Sequence, residues 1–130
     1  MFIRFAQFQR DPDARVAPGL FQALNHLPAT EGPDWRRSEI ARTYDWFTEN
    51  LDRPDVLAAR FSRYGPRRGV CWFHDTATDH IEQARYLAWL LTDIGLPIRE
   101  LRAHAPGQTI WQDTAQAVII PEPGARVRSL

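Results

Sequence analysis

The segment from Val70 to Pro97 constrains this chain most. Val70-Cys71-Trp72-Phe73-His74 is nearly continuous in apolar residues, the pattern of a strand in the interior of a sheet. Asp75 and Thr76 interrupt it, and Ile81, Ala84, Ala88, Leu91 and Ile94 then recur at helical spacing. Asp75 or Thr76 is the expected cap, and Thr76-Ala77-Thr78-Asp79 resembles a capping box. Gly95 is the expected stop, Pro97 forbids continuation, and Ile98 to Ala103 reads as the next strand. The long helix should therefore lie on the strand that precedes it.

The remaining elements follow from the same signals. Met1 to Phe8 is rich in strand-favouring aromatics and is stopped by Asp11-Pro12-Asp13. Leu20, Ala23, Leu24 and Leu27 predict a short helix ending before Pro28. Asp34 is a candidate N-cap for a helix whose apolar stripe is Ile40, Tyr44, Phe47 and Leu51. Thr109 to Trp111 and Ala117 to Ile120 read as a hairpin turned at Asp113-Thr114-Ala115. The predicted order is β-α-α-β-α-β-β-β. The fold class expected is α+β, a two-layer sandwich with a mixed sheet of about five strands and helices on one face. Residues 1–120 form one domain in this reading, and 121–130, rich in Pro, Gly, Arg and Ser, form a flexible tail.

Composition narrows the function classes. A chain of 130 residues is one domain by size, and its single cysteine, Cys71, allows neither an intrachain disulfide nor a cysteine zinc cluster. All 16 basic residues are arginine, and 16 acidic residues cancel them. A neutral chain lacks the basic footprint of a non-specific nucleic-acid binder. The apolar runs are too short to span a bilayer and no signal peptide is visible, so a cytoplasmic location is expected. Five tryptophans and seven phenylalanines are generous, and a homodimer would use some of them to cover an otherwise bare sheet face.

Two places could carry chemistry. The junction from Trp72 to His80 lies where a strand end opens into a helix start, a common ligand position in open sheets. It gathers His74, Asp75, Thr76, Thr78, Asp79 and His80. One reading makes His74 or His80 a general base oriented by Asp75 or Asp79. A second uses the His-Asp and Asp-His pairs for a metal. A third is structural: Asp75 and Thr76 cap, Asp79 favours the helix dipole, and both rings are solvated. The run from Arg60 to Arg68 is the other place. Arg60, Arg63, Arg67 and Arg68 could grip a phosphate, a carboxylate or an acidic partner, or simply be solvated. Trp72 and Trp111 are candidate aromatic walls of a site. No Gly-x-Ser-x-Gly, phosphate-binding glycine loop or His-Glu-x-x-His occurs, and no metal or cofactor is expected.

The opening Met1-Phe2-Ile3-Arg4-Phe5, the segment Gly19-Leu20-Phe21-Gln22-Ala23, the junction Trp72-Phe73-His74-Asp75-Thr76-Ala77 and the close Val118-Ile119-Ile120-Pro121-Glu122-Pro123 resemble a family of small bacterial proteins of uncharacterised activity. That family carries a basic residue, usually lysine, where His74 stands, so the resemblance speaks against a metal role for His74. It implies no reaction. The function expected is binding, of a protein partner or a small anionic ligand. The rival is a small enzyme using acid–base chemistry at His74, Asp75, Asp79 and His80.

Overall fold

The computed structural model describes residues 1–8, 19–24, 34–53 and 69–129. The fold is α+β. Its elements are β1 (Phe2–Gln7), α1 (Leu20–Ala23), α2 (Asp34–Asn50), β2 (Val70–His74), α3 (Thr78–Asp93), β3 (Ile98–Ala103), β4 (Gly107–Gln112), β5 (Gln116–Pro121) and β6 (Arg128–Ser129). The six strands among the described residues form one sheet in the order β4-β5-β2-β1-β3-β6. Every pairing is antiparallel, which corrects the expectation of a mixed sheet. β4 and β5 are consecutive and joined by a tight turn, a connection that only antiparallel strands allow. The sixth strand comes from the segment expected as a tail, where Arg128 pairs with Arg102 beside β3.

Strand β2 lies inside the sheet, as its apolar run predicts. Phe2 faces His74 and Ile3 faces Phe73 across β1 and β2, while Cys71 faces Val118 and Trp72 faces Ala117 across β2 and β5. Alternation then sorts the side chains onto two faces. One face carries Ile3, Phe5 and Phe73 and packs against Leu20 and Ala23 of α1, Ile40 and Phe47 of α2, and the apolar side of α3. The other carries Ala6, Trp72, Leu101, Ala103, Ala117 and Ile119, all buried. These six residues are covered within one chain.

Helix α3 buries Ile81, Ala84, Leu87, Ala88, Leu90 and Leu91, a wider face than the expected stripe, which lacked Leu87 and Leu90. Its N-cap is Ala77, with no side-chain cap bond, so neither Asp75 nor Thr76 caps it. Those residues form a tight turn in which the Ala77 N–H donates to the His74 carbonyl, 3.0 Å away. The C-terminus ends as expected: Gly95 has φ of +100°, its N–H donates to Thr92 O, and the Leu96 N–H donates to Leu91 O. This pattern satisfies the last carbonyls and requires a left-handed residue that glycine adopts without a Cβ penalty.

Helix α2 departs from its predicted stripe at one position. Ile40 and Phe47 are buried, but Tyr44 is exposed and Thr43 takes the buried place. The threonine hydroxyl donates back to Glu39 O at 2.7 Å, so its own polar group is satisfied in the core. Tyr44 instead meets Phe21 edge-on, with ring centroids 6.3 Å apart. The β4–β5 hairpin turns at Asp113, whose carboxylate accepts from the N–H groups of Ala115 and Gln116 at 2.8 Å each. Gly107 lets β4 approach closely, since a Cβ there would meet the Ile120 carbonyl oxygen at 1.9 Å.

Candidate functional site

The sheet separates the two histidines of the strand–helix junction. His74 pairs with Phe2 and lies on the sheet face away from the helices, its ring 5.4 Å from that of Phe2. His80 points to the helix side, among the rings of Trp46 at 5.0 Å, Phe73 at 6.2 Å and Phe47 at 6.4 Å. Its Nε2 lies 2.7 Å from the carbonyl oxygen of Asn50. A carbonyl only accepts, so Nε2 carries the proton and donates it to the end of α2. His80 is thus a capping group for α2.

The carboxylates do not join either ring. Asp75 is exposed, with its carboxylate 3.9 Å from the N-terminal ammonium of Met1 and its N–H donating to Met1 O. Asp79 sits exposed in the first turn of α3, where its charge suits the helix dipole. Among the described residues, no hydrogen bond links His74 or His80 to Asp75 or Asp79, and no group of three or more His, Cys, Asp or Glu is placed to hold a metal. The four residues do not form an acid–base constellation.

The tryptophans do not share a site either. Trp72 is buried on the face away from the helices. Trp111 lies opposite Val118, which pairs with Cys71 rather than Trp72, so the two indoles belong to opposite faces. Arg60, Arg63, Arg67 and Arg68 lie outside the described residues. The chain leading toward that arginine run is held at 50–52: His80 takes Asn50 O, and the buried Gln116 donates its Nε2 N–H to Asp52 O.

Two other places concentrate recognition chemistry, and neither was singled out from the sequence. The first is the outer seam of α2 and α3. The helices run antiparallel, since Arg36 pairs with Asp93 while His80 meets Asn50. Along the seam the Tyr86 hydroxyl donates to Glu39 Oε1 at 2.8 Å, and Arg42 Nε donates to Glu39 Oε2 at 2.7 Å. Those two bonds hold the Glu39 carboxyl below its usual range, and Tyr86, which gives up its proton less readily beside that carboxylate, is shifted upward. Trp89 stacks on Tyr86 at 6.0 Å and is 53% exposed; Trp35, beside Arg36, is 49% exposed.

The second place is on the sheet face away from the helices. Arg4 lies mid-strand in β1, buried, on the same face as Trp72 and Leu101. Burial, aided by the Arg99 charge and opposed by Cys71, pulls its guanidinium down to about 10. It stays charged at neutral pH. Arg99 faces Ala6 across β1 and β3 and so shares that face, with Phe8 lying 5.3 Å from its guanidinium carbon. Burial raises the Cys71 thiol to about 11, against the pull of Arg4, so it is no nucleophile at neutral pH. The one sequence sign of this face was an arginine in Ile3-Arg4-Phe5-Ala6, at the parity of Ala6 and Phe8.

No helix among the described residues is long and apolar enough to cross a membrane. Comparisons with protein-family models, with curated proteins and with solved structures found no match to this chain.

Proposed function

We propose that this chain is a binding module whose protein partner docks on the outer seam of α2 and α3. The observation that carries the reading is the pair of half-exposed indoles, Trp35 and Trp89, flanking the Arg36–Asp93 and Glu39–Tyr86 contacts. Tryptophan, tyrosine and arginine dominate the binding energy of protein interfaces, and here all three sit on rigid helices whose geometry is fixed before binding. The Glu39–Arg42–Tyr86 network holds the polar groups in place, so little side-chain freedom remains to be lost. A partner of matching chemistry offers apolar clefts for two indoles and polar groups at their rim. A second copy of this chain is the weaker occupant, because the sheet residues on both faces are already buried within one chain.

The test is a double variant, Trp35→Ala with Trp89→Ala, compared with the unaltered chain. Both indoles are half-exposed, so the thermal midpoint should change little. Partners are captured from the native host by photo-crosslinking from a probe placed at Ser38, and the affinity of the captured protein is then measured. A loss of about tenfold or more in the double variant is expected. Equal affinity for both forms would refute the docking face. Light scattering showing a dimer that the double variant abolishes would replace the partner by a second copy.

A further inference from the structure

The sheet face away from the helices carries a second cluster of charged residues, apart from the α2–α3 seam. Arginines elsewhere in the chain already bind carboxylates. Arg42 presents one edge of its guanidinium, Nε and Nη2, to Glu39, at 2.7 Å and 3.3 Å. Arg85 presents the same edge to Glu100, again at 2.7 Å and 3.3 Å. That edge makes two parallel N–H bonds and matches the spacing of carboxylate oxygens.

In Arg99 the corresponding two nitrogens, Nε and Nη2, are shielded from solvent and have no hydrogen-bond partner among the described residues. Buried polar groups in folded proteins are nearly always bonded, and a forked pair of orphaned cationic donors is an expensive exception. The surroundings add positive charge. Arg4 lies on the same sheet face and is close enough for the two guanidinium charges to repel. Arg4 has an interaction of its own and contributes its charge, while Arg99 contributes the two unbonded donors. Phe8, 62% exposed, lies against the Arg99 guanidinium and gives an apolar platform beside the fork.

We propose that Arg99, supported by the charge of Arg4 and the ring of Phe8, is a binding site for a carboxylate attached to an apolar group. The carboxylate takes the Nε and Nη2 hydrogens in the arrangement Glu39 and Glu100 show, and the apolar group lies on Phe8. Rotation of the exposed Phe8 side chain is the motion that uncovers the guanidinium. Out of water, the two charge-assisted bonds gain strength. A small aromatic acid and the C-terminal carboxylate of a peptide ending in an apolar residue share this chemistry.

The experiment follows the arginine Nε–Hε signals of the ¹⁵N-labelled full chain. The probes are benzoate, an N-acetylated tetrapeptide ending in a free Phe carboxylate, and the same peptide amidated. The Arg99 signal should shift saturably with benzoate or the free peptide, and not with the amide. Benzoate alone assigns a small acid; tighter binding of the free peptide assigns a chain terminus. Arg99→Gln should weaken binding by about tenfold or more, the value of two charge-assisted bonds. Arg99→Lys keeps charge and stem without the fork and should lose nearly as much, which covers a failure of the glutamine variant to fold. Arg53→Ala, at an exposed arginine past the end of α2, should leave binding unchanged. The proposal falls if no probe shifts the Arg99 signal, or if the lysine variant binds as well as the unaltered chain. None of these outcomes bears on the Trp35–Trp89 seam.

Discussion

The two faces of the sheet are built from different material. The helix side fills its space with large side chains: Ile3, Phe5 and Phe73 from the strands, and Leu87, Leu90 and Leu91 from α3. The other face uses three alanines, Ala6, Ala103 and Ala117, around Trp72, Leu101 and Ile119, and it admits Arg4 and Arg99. Burial of apolar volume supplies stability in proportion to area and is indifferent to direction. Charged groups out of water need specific partners. The helix side is therefore the stabilising layer, and the second face also holds charge: Arg4 is buried there, and Arg99 keeps Nε and Nη2 unbonded among the described residues.

Large-to-small changes test how evenly the two layers share stability. Trp72→Ala on the second face should cost about 3–5 kcal/mol, and Leu91→Ala on the helix side about 2–5 kcal/mol. Because the sheet lies between them, their effects should add to within about 0.5 kcal/mol in chemical denaturation. A clearly smaller sum would mean that the two layers do not act as separate cores.

Cys71 reports on the boundary between the layers. It alternates with Phe73 toward the helix side, yet its thiol feels the Arg4 charge. Its folded value, about 11, lies above the ordinary 9.0. The thiol contribution to stability is therefore complete below pH 9 and is lost as pH rises through 11. Alkylation of the folded chain at pH 8 should be slow and should accelerate on unfolding. Arg4→Met removes the charge that opposes burial, so the thiol should titrate still higher; an unchanged alkylation profile would disconnect the two residues.

The smallest effect is expected at the rim of the helix side, where Arg85 and Arg102 hold Glu100. Burial pushes the Glu100 carboxyl upward, but the Arg85 and Arg102 bonds outweigh it and leave it below its usual value. A depressed carboxyl stabilises above its unfolded value, and the contribution disappears as pH falls through the folded one. Arg85 is half exposed, so Arg85→Ala should cost at most about 1 kcal/mol at pH 7 and nothing in strong acid. Equal loss at both ends of that range would show that the side chain acts through packing.

Much of the fold was legible because local chemistry decided it. The apolar run of β2, the α3 period closed by Gly95 and Pro97, the Ile98–Ala103 strand and the Asp113 turn all depend on residues within a few positions of one another. The element order follows from them, and β6 is the one strand it omits. What failed needed neighbours distant in sequence. Thr43 displaced Tyr44 from the core because its hydroxyl could return to Glu39, while Phe21 offered the tyrosine an edge contact outside. The cluster His74, Asp75, Asp79 and His80 was dense in sequence, but strand alternation and the turn into α3 sent the two rings to opposite sides of the sheet. The Arg4–Arg99 pair was invisible for the converse reason. Ninety-five residues separate them, and only the antiparallel register of β1 and β3 brings them to one face. The sequence by itself determined which segments are strands and helices, since periodicity and turn chemistry are local. Only the tertiary structure decided which polar groups meet, because that depends on register, and a shift of one residue turns every side chain to the other face.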